Sequence, residues 1–334
     1  MDFRAPLDGA PATRRRWLVI VGVGALVVLD AILIVWLLAR PTAVEADAPP
    51  AGPSPVSTGS PSGSPSGSPS AEPSPGSEGA PVEVEAVASQ PPARILTAVD
   101  GSTAWRATTG DCPAAIAAPE LTTDGGATWL PTDATGPTGV TALTRIIASG
   151  ADVATMVGAA PDGCAPTIIR TYVRGDNYEE YPGEIATAWR IDPADRASIG
   201  TPTDVVDGPC ASAVTIATAS DEAAAVLCAD GTIATTADAG ATWSTPLAVA
   251  GAQSLDAVEG GWLVARLGGS ACAGVGLAIV SSDGATAAES GCVPVSGALE
   301  SLAGEVAVSV GGDTWWVWAG DALVRSTDRG VTWG

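Results

Sequence analysis

Hydropathy divides the chain into three stretches of different character. Residues 17–38 are an apolar run broken only by Asp30, long enough to cross a bilayer as a helix. Residues 41–80 are mostly Pro, Ser, Gly and Ala, with tandem Ser-Pro-Ser-Gly units at 60–63 and 64–67. Such a stretch buries too little apolar surface to offset the entropy of ordering, so it is predicted to be disordered and partly polyproline-like. From about Pro92 onward, short runs of β-branched and small residues alternate with Gly, Asp and Pro. This is the pattern of short strands joined by tight turns, and it predicts an all-β domain.

These stretches give a cytoplasmic tail at 1–16, a transmembrane helix (signal anchor) at 17–38, a linker at 41–80 and the all-β domain at 81–334. Arg14, Arg15 and Arg16 precede the apolar run and only Arg40 follows it closely. The positive-inside rule then places the N-terminus in the cytoplasm and the bulk of the chain outside, as a single-pass cell-membrane protein. A cleaved signal peptide is the alternative, but its apolar core is shorter, and the small-residue sequence Ala46-Asp47-Ala48 lies well beyond the run. Asp30 reads either as a contact to a partner helix or as a protonated carboxyl that faces no partner.

Within the all-β stretch one pattern recurs in three clear copies. They are Thr122-Thr123-Asp124-Gly125-Gly126-Ala127-Thr128-Trp129, Thr236-Ala237-Asp238-Ala239-Gly240-Ala241-Thr242-Trp243 and Ser326-Thr327-Asp328-Arg329-Gly330-Val331-Thr332-Trp333. Each suits a hairpin turn whose Asp carboxylate accepts backbone N–H groups while Gly supplies positive φ. The Trp then begins the next strand. Two degenerate copies follow from spacing. Asp176 precedes Tyr181 by the same five residues that separate Asp from Trp, and Ser281-Ser282-Asp283 is a copy without its Trp. Arg174-Gly175-Asp176 is read this way and not as an adhesion tripeptide.

The pattern resembles the Asp-box, or bacterial neuraminidase repeat, of sialidase-like β-propellers, where it joins the third and fourth strands of a blade. The resemblance implies a propeller built from four-stranded blades. The Asp positions 124, 176, 238, 283 and 328 lie 52, 62, 45 and 45 residues apart, close to one blade each. Five blades are expected, or six if an irregular blade lies between Glu184 and Asp207. The alternating segment Val82–Val87 is the candidate to complete the last blade and remove its open edge.

All six cysteines follow the apolar run, in a compartment where disulfides persist. Six cysteines allow fifteen connectivities. Cys272 and Cys292 flank the turn at Asp283, and Cys210 and Cys228 flank Ser220-Asp221 in the same way, so each pair fits one hairpin. Cys112 and Cys164 are left to each other and hold the same repeat position. A metal site is the rival reading, but there is no His and no close Cys-x-x-Cys pair, so neither a metal nor a cofactor is expected.

Composition narrows the chemistry. The chain has 37 acidic residues against 15 basic ones, and every basic residue is Arg. That bias fits a GC-rich, actinobacterial genome. The net charge of −22 argues against a nucleic-acid partner, which needs clustered cations. Without His there is no Ser-His-Asp or Cys-His mechanism. Sialidases of the resembled family use three arginines with a Tyr–Glu pair, and their Arg-Ile-Pro signature is missing here. Arg94-Ile95 is followed by Leu96, and Tyr172, Tyr178 and Tyr181 cluster with Glu179 and Glu180 in one degenerate repeat. No trio among Arg106, Arg145, Arg190, Arg266 and Arg325 matches the family's set. The Trp-Arg pairs Trp105-Arg106 and Trp189-Arg190, with Trp316 and Trp318, are candidates for a binding surface or for packing between blades. The expected function is a non-catalytic binding or scaffolding module for a protein or cell-envelope glycan. The alternatives are a sialidase-like glycoside hydrolase and an assembly factor resembling the propellers that help build photosystem II.

Overall fold

The computed structural model describes residues 85–269 and 272–334. The membrane-helix expectation at 17–38 and the linker expectation at 41–80 fall outside them. Among the described residues no helix is long and apolar enough to cross a membrane. The described residues form a β-propeller of six antiparallel sheets. Blade 1 comprises β1 (Arg94–Ala98), β2 (Ala104–Thr108), β3 (Glu120–Thr122) and β4 (Leu130–Pro131). Blade 2 comprises β5 (Thr141–Ala148), β6 (Ala154–Ala159), β7 (Pro166–Thr171) and β8 (Glu179–Glu180). Blade 3 has β9 (Arg190–Asp192), β10 (Asp195–Gly200) and β11 (Val205–Asp207). Blade 4 comprises β12 (Ala213–Thr218), β13 (Ala224–Cys228), β14 (Thr232–Thr236) and β15 (Leu247–Ala248). Blade 5 comprises β16 (Ala252–Val258), β17 (Gly261–Leu267), β18 (Val275–Ser281) and β19 (Ala287–Val293). Blade 6 has β20 (Val306–Gly311), β21 (Thr314–Ala319) and β22 (Ala322–Ser326). Six is the alternative count of the sequence reading, and blade 3 is the irregular blade between Glu184 and Asp207.

The second strand of a blade is covered by neighbouring blades on both faces. β13, β17 and β21 are therefore buried at every residue and read as continuous runs rather than alternating ones. The blades are held to one another by tryptophans. The indole N–H of Trp105 donates to the Gly150 carbonyl (3.1 Å), that of Trp189 to Ser220 (3.2 Å) and that of Trp316 to Asp100 (3.1 Å). Each acceptor lies in the turn after the first strand of the following blade. Trp105, Trp189, Trp316 and Trp318 are all buried, so they are not an exposed binding surface. Arg106 is also engaged. Its guanidinium stacks 4.0 Å from the Trp129 ring and 4.8 Å from the Trp318 ring, and pairs with Glu120 at 2.6 Å. Arg94 stacks on Trp318 at 4.4 Å and pairs with Glu305, so the seam between blades 6 and 1 is a ladder of arginines and indoles.

Among the described residues blade 3 has no inner strand. Trp189, just before β9, makes the bond that Trp105 and Trp316 make from second strands, so β9 corresponds to a second strand. Arg145, on the inner strand β5 of blade 2, reaches across the gap. Its guanidinium donates to the Trp189 carbonyl at 2.9 Å and to the Thr218 hydroxyl on β12 of blade 4.

The closing strand differs from expectation. Val87 donates to the Leu267 carbonyl of blade 5, and the Ser89 hydroxyl donates to Ala252. The buried Gln253 amide donates to the carbonyls of Val87 and Ala88. This segment therefore runs beneath blades 5 and 6 into β1, and does not lie along β22. The outer neighbour of β22 is the chain's own Gly334, which exchanges two backbone bonds with Arg325 (2.9 and 3.0 Å). The turn at Asp328 folds Trp333-Gly334 back onto β22 and takes the place assigned to Val82–Val87, of which residues 82–84 lie outside the described residues.

The three disulfides are Cys112–Cys164, Cys210–Cys228 and Cys272–Cys292. The first joins the connections after the second strands of blades 1 and 2. By strand order all three sit at the end of the ring opposite the repeat turns.

Candidate functional site

The repeat turns are structural devices. In the first, Asp124 accepts the Thr128 N–H (2.9 Å) and hydroxyl (2.6 Å) and the Thr122 hydroxyl (2.8 Å). The same bonds recur at Asp238 with Thr242 and Thr236, and at Asp328 with Thr332 and Ser326. Gly126, Gly240 and Gly330 all have φ between 83° and 89°, which only glycine adopts without strain. Trp129, Trp243 and Trp333 pack beside these turns. Asp283 accepts the Ser281 hydroxyl (2.6 Å) and the Ala285 N–H (3.0 Å) in a tighter turn.

Asp176 is displaced from this register. The hydroxyl that anchors the blade 2 turn belongs to Thr171, which accepts the Gly175 N–H at 3.0 Å as Thr122 accepts that of Gly126 at 2.9 Å. Val173 therefore stands in the Asp position and the buried Tyr178 in the Trp position, with Arg174 and Gly175 at φ 60° and 86°. The five-residue spacing from Asp176 to Tyr181 is coincidental. The Asp176 carboxylate bonds no turn donor, because the turn is complete before the chain reaches it.

Hydrogen bonds to Thr128 hold the Asp124 carboxyl down at about 2, and those to Thr332 do the same for Asp328. A carboxyl held below its ordinary value contributes stability above that value and loses it as pH falls toward the folded value. Melting temperature should therefore hold down to about pH 4 and decline below it. Asp124→Ala, Asp238→Ala and Asp328→Ala should each lower it by a similar few degrees, on the order of 2–8 °C. Asp176→Ala should leave it unchanged. Differential scanning calorimetry of the four variants checks this, and a drop at Asp176 equal to the others would restore it to the turn.

The tyrosine cluster lies on the outside of blade 2. The Tyr181 hydroxyl donates to Glu179 at 2.9 Å, a bond that pushes its pKa up to about 12. The Arg170 guanidinium lies 4.9 Å from the Tyr181 ring and 5.9 Å from that of Tyr172. Tyr178 is buried and shares a 2.7 Å bond with the Thr132 hydroxyl. None of these groups lines the cavity described next, so the Tyr–Glu pair and the clustered arginines are not brought together.

The inner strands of blades 1, 2, 4, 5 and 6 enclose a polar channel of about 200 Å³. At the end away from the repeat turns it meets a cavity of about 580 Å³ whose walls include Arg145, Arg190 and Arg196. The missing inner strand of blade 3 exposes Arg190 and Arg196 there. Each cation is fixed by the backbone: Arg190 donates to Ile185 (2.7 Å) and Ala188 (3.1 Å), and Arg196 to Ala213 (3.1 Å). Burial without a contacting carboxylate pulls the Arg145 pKa down to about 10 and lowers those of Arg190 and Arg196, yet all three remain cations at neutral pH. Across the channel Asp256 accepts bonds from the Ser309 hydroxyl and the Val310 N–H, both 2.8 Å, and burial pushes its pKa up. Sequence reasoning found Arg190 as a partner of Trp189 and missed Arg196. Among the described residues no cluster of His, Cys, Asp or Glu is arranged to hold a metal ion.

No protein-family model matches the chain, and no curated protein matches it. Solved structures do. YCF48 bound to D1 peptide is 14% identical over 75% of this chain and 96% of its own, with a TM-score of 0.40. The WD40 β-propeller domain of Doa1 is 12% identical over 75% and 99%, with a TM-score of 0.41. The Hadza microbial sialidase Hz136 is 12% identical over 68% and 49%, with a TM-score of 0.32. At these identities the likeness is one of fold alone.

Proposed function

We propose that this chain is a membrane-anchored, extracytoplasmic Asp-box propeller that acts as a non-catalytic binding or scaffolding module for a protein or cell-envelope glycan. The observation that carries the reading is the cavity at the channel mouth: about 580 Å³, within the range of ligand sites, and lined by three arginines fixed in place. That lining holds no Tyr and no Glu, and the Tyr181–Glu179 pair lies elsewhere, on the outer side of blade 2. The anchor rests on the apolar run at 17–38 with its preceding arginines, and the outward orientation agrees with three disulfides in the propeller.

Two readouts test it. Purified full-length protein should release no fluorophore from a 4-methylumbelliferyl sialoside or from a panel of simple glycosides. Protease added to intact cells should shed the propeller by cutting within 41–80. Turnover of the sialoside would replace the reading with the glycosidase, and resistance in intact cells with cleavage only after lysis would overturn the topology.

A further inference from the structure

Among the described arginines, five form ion pairs and five do not. Arg94, Arg106, Arg170, Arg266 and Arg329 each meet a carboxylate. Arg145, Arg174, Arg190, Arg196 and Arg325 form none, and three of these, Arg145, Arg190 and Arg196, line one cavity in a chain of net charge −22. Asp192 acts on Arg190 and Asp256 on Arg145 without an ion-pair contact, and the cavity lining itself sets these three cations against the single carboxylate of Asp111. Each is anchored through part of its guanidinium to a carbonyl or hydroxyl, leaving its other N–H groups without a protein partner. A guanidinium held in this way is preorganised to receive a planar oxyanion through paired N–H donors.

The rest of the lining selects among anionic ligands. Pro91, Pro92, Ile191, Pro193, Val214 and Ile216 make the walls aliphatic, and no aromatic ring lines the cavity. A sugar would be expected to stack on exposed rings, whereas small aliphatic side chains suit an extended peptide. Asp111 on the rim is exposed and pairs with none of the three cations.

Resting on the binding-module reading above, we propose that the channel mouth is a receptor for an acidic peptide segment, whose carboxylate is taken by Arg190 and Arg196 with Arg145 behind them and whose aliphatic side chains lie on the proline and isoleucine walls.

The test uses the full-length protein in nanodiscs and a fluorescein-labelled octapeptide of alternating Glu and Val. Its counterparts are the Gln/Val octapeptide and, as a competitor, a hyaluronan tetrasaccharide that carries carboxylates on sugar. Fluorescence anisotropy should show binding of the Glu/Val peptide at least about tenfold tighter than the Gln/Val peptide, weakening as salt rises. Arg190→Gln and Arg196→Gln should each weaken it about five- to fiftyfold at unchanged melting temperature, while Arg329→Gln, in an exposed ion pair elsewhere, should not. Equal affinity for the two peptides, no binding at millimolar peptide, or insensitivity to the Arg190→Gln/Arg196→Gln double variant would overturn the proposal. Displacement by the tetrasaccharide at concentrations matching the peptide would overturn the peptide assignment and leave the binding module standing. Glycoside turnover would instead remove the module reading itself.

Discussion

Trp316→Ala should destabilise the propeller by about 3–5 kcal/mol, the cost of emptying a buried tryptophan site in a packed interior. Trp316 is fully buried on β21, with the Arg325 guanidinium 5.2 Å from its ring and its indole N–H bonded to Asp100 of blade 1. It stands at the one seam where the last blade must meet the first. Among the described residues the outer partner of β22 is Gly334 and no N-terminal strand pairs with it. The packing of β1 on β20 and β21 carries the closure: Ala98 N–H donates to the Ser309 hydroxyl (2.9 Å), Ala93 N–H to the Gly304 carbonyl (2.8 Å), and Trp316 bonds Asp100. Trp316→Phe keeps most of the packing and loses the hydrogen bond, and should cost nearer 1 kcal/mol. Chemical denaturation gives both values. Hydrogen exchange of Trp316→Ala should show faster exchange in β1 and β20–β22 than in β12–β18. A uniform increase would mean that the seam is no weaker than the other blade contacts.

Arg145→Met is the second large effect, about 2–4 kcal/mol. The side chain stands in for a missing strand, tying blade 2 to the Trp189 carbonyl and to Thr218 of blade 4. Charge-assisted bonds of this kind contribute about 1.5–3 kcal/mol each. Burying the cation offsets part of that, as its lowered pKa records. Methionine fills similar length without donors, so the Trp189 carbonyl loses its partner. The loss should show in thermal melts. If Arg145→Met melts like the parent protein, the gap in blade 3 is held by other contacts.

Much of the fold was legible because the repeat turns are local. The hydroxyl, Asp, Gly and Thr of the three clear copies are fixed by bonds spanning four residues or fewer, and those bonds are written in consecutive letters. The displaced Asp176 shows where such reading fails. Spacing from Asp to an aromatic was satisfied by the wrong pair, while the Thr171 hydroxyl and the two positive-φ residues marked the real turn. Blade 3 was harder, since a strand that is absent contributes no residues to notice. A signal did exist. Trp316 follows the turn hydroxyl of Ser281 by 35 residues, but Trp189 follows that of Thr171 by only 18, too few for an inner strand. The cavity itself depends on that omission. Arg196 has no neighbour in sequence that marks it, and it becomes a wall of the mouth only because blades 2 and 4 stand apart.

Arginine footprinting tests the central claim most directly. Full-length protein is treated with phenylglyoxal, with and without the Glu/Val octapeptide, and modification is read at each arginine by mass spectrometry. The account predicts protection of Arg190 and Arg196, with Arg174 and Arg329 modified equally in both samples. Unchanged labelling at Arg190 and Arg196, or protection confined to Arg174, would contradict it.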